Sequence, residues 1–396
     1  MPKKPRHSSL YKRSPLKSRS YFVLILCLLI FGFFTSAAST LNAASVPERP
    51  ASQPPPATIG TGTPALPAVL PTPRAAGARQ CIWEGVDRII AIGDLHCDYV
   101  HFITILKHEE IGLIDDDLHW IGGKTHLVQI GDVMDRGKDR EDRAKDIFDL
   151  IKRLEKEALE AGGMVHMLIG NHEEMNITGI AFRYADYVSI KQFKDFLPEK
   201  YKRDREREFK RRTEGRVDID NEWKKLMEDE GPRGDDARFA YVENFNLLYG
   251  RWIALEHNAV IKINDTVFVH GGIGEKYSSW PLKDINNLYY TEFRKVLRRE
   301  NFDAKILLQE DSPLWFRLLA SPEWDEKIYA PQVDKILANL GAKQIVIAHT
   351  PYIKDQRYRF DKKVWVTDTG ISRVYRGFLS ALIINSGNFK PWRLNY

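Results

Sequence analysis

Leu127-Val128-Gln129-Ile130-Gly131-Asp132-Val133-Met134-Asp135-Arg136-Gly137 is the stretch on which the fold turns. A short apolar run of strand type stops at a glycine, and an acid follows at once. The pattern recurs. Arg88 to Ile92 leads into Gly93-Asp94-Leu95-His96, and Met164 to Ile169 into Gly170-Asn171-His172-Glu173. Val267-Phe268-Val269 leads into His270-Gly271-Gly272, and Gln344 to Ala348 into His349-Thr350-Pro351. Between the runs at Leu127 and Met164, Ile147, Ile151, Leu154 and Ala158 repeat at helical spacing, and Gly162-Gly163 closes the helix. That is one βαβ unit. Val260 to Val269 reads as a hairpin turning at Asn264-Asp265, with Val364 to Val366 and Phe378 to Ile384 as closing strands. The fold class is therefore α/β. Carboxylates, imidazoles and an amide gather at the carboxyl edge of the sheet, where open α/β sheets bind ligands.

Composition allows one large domain or two with a buried core: the chain has 396 residues, of which 43% are hydrophobic and 29% charged. Its three cysteines, Cys27, Cys81 and Cys97, form no CxxC pair and exclude both a disulfide scaffold and a thiolate zinc module. The net charge of +5 misleads, because residues 1–79 hold ten Lys/Arg against the single acid Glu48. The remainder is mildly acidic. A broad basic face for nucleic acid is thus not expected.

Residues 1–44 read as a basic leader with an apolar run, Tyr21 to Phe34, followed by small residues. This order is that of a signal peptide. A signal anchor tethering the protein to a membrane and an organelle-import leader are the alternatives. The expected location is the secretory pathway or periplasm, secreted or anchored, or else an organelle. Residues 45–79, rich in proline, read as an extended linker, and 80–396 as the catalytic domain. Within it, 199–238 is dense in charge and reads either as a solvated helical insertion or as a cap over the site.

The donor set is chemically specific. Asp94 and His96, two apart on extended backbone, suit one cation; Asn171, His270 and His349 suit a second; Asp132 bridges them. Carboxylate, imidazole and amide donors without thiolate suit Mn, Fe or Zn. Two such ions about 3.5 to 4 Å apart clamp an in-line displacement at phosphorus, with a bound hydroxide as nucleophile. The reaction class is phosphate-ester hydrolysis.

These boxes resemble the metallophosphoesterases, and among them the phosphoprotein phosphatases with their GDxHG, GDxxDRG, GNHE and HGG motifs. From about residue 87 to 385 the chain is similar to the bacterial-type, Shewanella-like branch. It carries Gly250-Arg251-Trp252-Ile253, Val269-His270-Gly271-Gly272, Pro313-Leu314-Trp315-Phe316-Arg317 and Asp368-Thr369-Gly370 in that branch's order. The resemblance implies a calcineurin-like sandwich of two mixed β-sheets flanked by helices. It also implies two divalent or trivalent ions (Mn, Fe or Zn), one held by Asp94, His96 and Asp132, the other by Asp132, Asn171, His270 and His349. His172 takes the role of general acid, oriented by Asp135, and Arg136 that of the phosphate-binding arginine, with Asn171 also near the phosphate. Arg317 and Arg251 are further phosphate candidates, with structural salt bridging as the other reading of each.

One residue departs from the boxes: Cys97 stands where they have glycine. It reads as a tolerated small residue, a redox-sensitive thiol, a metal ligand or half of a disulfide with Cys81. His101, His108, His119, His126, His166 and His257 read as surface or core histidines, Asp98 as a helix cap and Glu173 as a loop brace. The sequons at Asn176 and Asn264 are common triplets, the first too close to the catalytic loop to accept a glycan. The function expected is hydrolysis of phosphoserine, phosphothreonine or phosphotyrosine in proteins, or of a small phosphoester. Dinucleoside polyphosphate hydrolysis is the second enzyme reading, and an inactive membrane-tethered scaffold the reading from another class.

Overall fold

A computed structural model describes residues 80–394 except 139–141, 185, 217 and 354–356. The expected leader and linker lie outside the described residues. In chain order the elements are β1 (Ile82–Trp83), β2 (Arg88–Ile92), α1 (Tyr99–Lys107), β3 (His126–Gln129), α2 (Ala144–Glu160), β4 (Met164–Met167) and α3 (Asn171–Thr178). There follow α4 (Ile190–Phe196), α5 (Glu199–Arg212), α6 (Ile219–Glu228), α7 (Pro232–Phe245), a π turn (Asn246–Gly250) and α8 (Arg251–Glu256). The chain continues through β5 (Val260–Ile263), β6 (Thr266–Val269), α9 (Glu275–Ser278), α10 (Leu282–Leu297), α11 (Glu326–Leu340) and β7 (Gln344–Ile347). It ends with β8 (Tyr358–Arg359), β9 (Val364–Val366), β10 (Ser380–Asn385) and β11 (Asn388–Arg393).

The strands form two mixed sheets, ordered β11-β10-β2-β3-β4 and β1-β5-β6-β7-β9-β8. In the first, β2, β3 and β4 run parallel; in the second, β6, β7 and β9 do. Strands buried on both faces carry unbroken apolar runs, which is why the sequence shows runs rather than alternation. Ile89, Ala91, Val128, Ile261, Phe268, Val346 and Leu382 fill the layer between the sheets. Each such side chain contributes about 1.5–3 kcal/mol on burial. Helices cover the outer faces. In α2, Ile147, Ile151, Leu154 and Ala158 all point inward, and Gly162 at φ 80° follows its end. Asp98 caps α1 by accepting the His101 N–H.

The hairpin β5–β6 and the β3-α2-β4 crossover stand as read from the sequence. Three strands were not anticipated: β1 and β8 have two residues each, and β11 carries Pro391. A proline fits there because β11 is an edge strand, where a missing N–H breaks no ladder. The charged segment 199–238 is helical, and it is not solvated throughout. Its exposed faces do carry ion pairs such as Lys200–Asp204 at 3.0 Å, but Phe209 and Trp223 are buried, and α6 and α7 pack on α4. Among the described residues no helix is long and apolar enough to cross a membrane.

Candidate active site

Three parallel strands from each sheet end at one edge, and each hands a polar residue to the seam between the sheets. β2, β3 and β4 deliver Asp94, Asp132 and Asn171; β6, β7 and β9 deliver His270, His349 and Asp368. The loops are stitched to one another: Leu95 and His96 N–H both donate to Asp132 O at 3.0 Å, and Ala348 N–H to His270 O at 2.8 Å. Two glycines are obligatory for this crowding. A Cβ on Gly131 would lie 2.7 Å from Gly170 Cα, and one on Gly170 would lie 2.3 Å from Asp132 N. The backbone is strained here as well: His96, Cys97, Asp132, Asp135, Arg136 and His349 all have φ between 40° and 68°.

Asp132 is the centre. Its Oδ1 lies 3.2 Å from His270 Nε2, and its Oδ2 lies 3.9 Å from His96 Nε2 and 3.8 Å from His172 Nε2. Asp94 Oδ2 is 3.8 Å from His96 Nε2, and Asp94 Oδ1 accepts the His349 N–H at 3.2 Å. Asn171 Oδ1 is 3.0 Å from His270 Nε2. The tautomers follow from what the other ring nitrogens do. His270 Nδ1 donates to Ile130 O at 2.7 Å and His96 Nδ1 to Met134 O at 3.2 Å, so each Nε2 keeps its lone pair for the cluster.

The electrostatics match a cation site. Burial holds the His96 imidazole down to about 3, with the neighbouring His172 adding to it, and burial with the Arg317 charge holds His349 well below its ordinary value. Lowered values favour the neutral imidazole, the form a metal would need. Burial would raise Asp132, but His270, His172 and His96 together keep it well below the usual carboxylate range. Asp94 goes the other way, pushed up by burial and by the Asp368 and Asp132 charges. Among the described residues, His349 Nε2 and Asp368 Oδ2 in this cluster meet no hydrogen-bond partner. Buried acceptors left so are costly unless a cation takes them. The spacings of 3.2 to 3.9 Å around Asp132 are those of donors sharing an ion, since ligands about 2.0–2.2 Å from one ion stand about 3 to 4 Å from each other. Among the described residues two groups offer donor atoms all within 4.8 Å of one another, His96 with Asp132 and His172, and Asp132 with His270 and His349. The residues fit a pair of metal ions sharing Asp132.

By spacing alone His172 joins the first group. Its Nδ1 lies 2.8 Å from Asp135 Oδ2, which fixes the ring and leaves Nε2 facing the cluster. Its main-chain N–H, at the start of α3, donates to Asp132 Oδ1 at 3.0 Å. Glu173 is a brace: its carboxylate accepts the N–H groups of Asp132, Val133 and Gly170, each at 2.9 Å.

Arg136 sits beside this pair. Its Nη2 donates to the Tyr187 hydroxyl at 2.8 Å, its guanidinium lies 4.3 Å from the Tyr187 ring centre, and its Nε has no partner among the described residues. Arg317 is exposed and donates to His349 O at 3.0 Å, with no carboxylate paired to it among the described residues, which argues against the salt-bridge reading. Arg251 is not brought to the cluster. It is exposed on α8 and makes no hydrogen bond or ion pair to any cluster residue among the described ones, because its GRW stretch lies at a π turn and helix rather than at a strand end.

Cys97 is buried, as is Cys81, and both thiols are free. The disulfide is thereby corrected. Burial pushes the Cys97 thiol well up, with the Asp142 and Asp135 charges adding to it, so it is no reactive thiolate. Its φ of 68° explains the glycine of the boxes: this is a left-handed position. Neither sequon is free, since Asn176 Nδ2 donates to Asp135 at 2.8 Å and the Asn264 side chain bonds both Val86 backbone groups. Gln192, Tyr187, Tyr241 and Tyr375 were not singled out from the sequence, and Asp368 was read only as part of the Asp368-Thr369-Gly370 box, not as a site residue. Only Asp368 carried a signal, as the polar residue after the short apolar run Val364 to Val366.

The family described as calcineurin-like phosphoesterase matches residues 87–352. Shewanella-like protein phosphatase 1 of Plasmodium berghei is 27% identical over 296 residues, 73% of this chain and 68% of that one. Shewanella-like protein phosphatase 2 of Arabidopsis thaliana is 30% identical over 287 residues, 68% of either chain. Among solved structures, the cold-active protein-tyrosine phosphatase of a psychrophilic Shewanella superposes with a TM-score of 0.54 at 23% identity, covering 80% of this chain and 83% of that one. At that identity the likeness speaks for the fold.

Proposed function

The chain belongs to the calcineurin-like phosphoesterases, in the Shewanella-like protein phosphatase branch, and on that premise we propose that it is a two-metal phosphomonoesterase acting on phosphorylated protein side chains. The observation that supports this best is the convergence of six strand ends on Asp132, with imidazoles within 3.2 to 3.9 Å of both its oxygens.

Asp94, His96, Asp132, Asn171, His270 and His349 would hold the ions. Bound there, a pair of Mn, Fe or Zn ions supplies the Lewis acidity that activates water and offsets charge on the phosphoryl oxygens. The remaining work falls to this chain's own groups. Arg136, with its Nε unpartnered and its planar fork pinned on Tyr187, binds phosphate oxygens. Arg317, exposed at the same edge, adds a second cation. His172 Nε2 gives a proton to the leaving oxygen while Asp135 holds Nδ1–H and so steadies the ring. Trp315, Tyr187 and Tyr375 lie against the site histidines, with ring centres 6.2, 4.8 and 5.2 Å from His349, His172 and His96. They wall the approach for a side chain, and aromatic walls favour a phosphotyrosyl ring over phosphoserine.

The test is a panel of phosphotyrosyl peptide, phosphoseryl peptide, p-nitrophenyl phosphate and diadenosine tetraphosphate, assayed with Mn(II). Peptide turnover with the phosphotyrosyl form ahead is expected. Cleavage of the dinucleotide alone would replace the protein-phosphatase reading. The basic leader and the apolar run after it support export to the secretory pathway or periplasm, which protease protection of the full chain checks.

A further inference from the structure

Four fully buried side chains close a hydrogen-bonded ring behind the catalytic pair. Gln192 Nε2 donates to Asp135 Oδ1 at 2.5 Å and to the Tyr241 hydroxyl oxygen at 3.0 Å. The Tyr241 O–H donates to Asn176 Oδ1 at 2.7 Å. Asn176 Nδ2 donates to Asp135 Oδ2 at 2.8 Å and to His172 O at 2.9 Å. Gln192 Oε1 in turn accepts the Asp135 N–H at 3.0 Å. These side chains come from distant places: Asp135 from the loop after β3, Asn176 from α3, Gln192 from α4, and Tyr241 from α7.

A donor count shows what the ring does. With the His172 Nδ1–H, the Asp135 side chain accepts three N–H groups and has none to give. Both amides are locked in one flip. Were Gln192 reversed, its oxygen would meet the Asp135 carboxylate and its NH₂ the Asp135 N–H. Were Asn176 reversed, its NH₂ would face the tyrosine proton. The Tyr241 hydroxyl takes a proton from Gln192 and gives one to Asn176 through a single oxygen, so it ties the two amides to each other. Such a network is worth having only when complete.

We propose that Tyr241 is a positioning residue for the phosphatase reaction: through Gln192 and Asn176 it fixes the amide orientations that make Asp135 a three-fold acceptor and keep the His172 ring aimed at the leaving oxygen. Tyr241 stands on α7, just beyond the charged segment 199–238. Its positioning role rests on the functional reading above, in which His172 is the acid.

Tyr241→Phe removes one oxygen and keeps the ring packed. A mispositioned acid hurts esters with poor leaving groups most, because they need the proton. For the full chain with Mn(II), kcat of Tyr241→Phe is expected to fall about threefold on p-nitrophenyl phosphate and about thirtyfold on phenyl phosphate. Inhibition by inorganic phosphate should not change. In the His172→Ala background the second substitution should cost nothing more. A fall of equal size on both esters, no fall, or full additivity in the double variant would overturn the proposal. A readout independent of turnover is the His172 Nδ1–H proton resonance, assigned by its loss in His172→Ala. It should be sharp in the parent and broadened by exchange in Tyr241→Phe; equal line widths, or no resonance in the parent, would overturn the idea. If the parent hydrolyses neither ester, the functional reading fails, while the resonance still decides the role of Tyr241.

Discussion

Both ends of the layer between the sheets bury histidines, and they treat them in opposite ways. At the end away from the seam, His126 opens β3 and His166 lies in β4, with Nε2 of one 3.0 Å from Nδ1 of the other. Trp83 packs edge-on at 4.4 Å, and no carboxylate pairs with either ring among the described contacts. Burial holds His166 down to about 3, helped by the His126 and His257 charges. The backbone there is ordinary strand. At the other end, His96, His172, His270 and His349 surround Asp94 and Asp132, and six loop residues sit in left-handed conformations. Each such conformation costs about 1–3 kcal/mol. Burial alone does not mark a functional histidine; burial with an anion, an unpartnered lone pair and a strained backbone does.

The largest effect should come from removing the anion that distinguishes the two ends. Asp132→Asn leaves the imidazoles in place but takes away the carboxylate between them. We expect kcat/KM on p-nitrophenyl phosphate to fall by about 10⁴ or more. Bound metal, measured by elemental analysis, should drop by at least one ion per chain. An active variant with full metal content would erase the distinction drawn above. Arg136→Lys is expected to act next in size. A lysine cannot present two parallel donors, so the inhibition constant for phosphate should rise about ten- to a hundredfold while metal content stays.

The other end should show itself in stability. The folded His166 binds its proton only near pH 3, well below the unfolded value of about 6.5, so between the two the unfolded chain holds more protons. Stability from this site is therefore complete above about 6.5 and lost as pH falls toward 3. Urea unfolding of the metal-loaded protein should lose about 1.4 kcal/mol per pH unit from His166 in that window. The double variant His126→Val/His166→Leu should flatten the slope by at least that much and leave activity at pH 7 in place. An unchanged slope would mean that this end is hydrated rather than dry.

How much of this was legible in the sequence depends on whether a residue announces its neighbours. Asp94, Asp132, Asn171, His270 and His349 could be read because each follows an apolar run, and parallel strands must deliver such residues to one edge. Asp368 obeys the same rule after β9, but a strand of three residues is a faint signal. Tyr241 could not be read. Ala237, Tyr241 and Phe245 make a helical stripe that describes core packing equally well, and they are buried. Nothing in the stripe says that the hydroxyl meets Gln192 and Asn176, which lie 49 and 65 residues away. Cross-chain hydrogen bonds between neutral side chains leave no periodic trace. Arg251 stayed open between a phosphate role and a structural one, because an arginine beside a glycine looks the same in sequence whether it stands at a strand end or on a helix.

Cys97 offers the finest test of where the strain lies. With φ at 68° it holds a conformation that costs an L-residue about 1 kcal/mol or more and glycine nothing of the kind. Its Sγ is also buried, lying 3.5 Å from Asp135 O and 3.7 Å from Gln192 Oε1. Cys97→Gly should therefore gain from relaxed backbone about what it loses from packing, with net stability within about 1 kcal/mol of the parent. Cys97→Ala keeps the strained φ and loses the sulfur, so it should be less stable than the glycine variant. At an unstrained site the ranking is the reverse, by about 0.5–1 kcal/mol. Finding alanine above glycine in urea unfolding would show that the loop at the seam relaxes when the thiol is removed, and that its strain is not fixed by the surrounding structure.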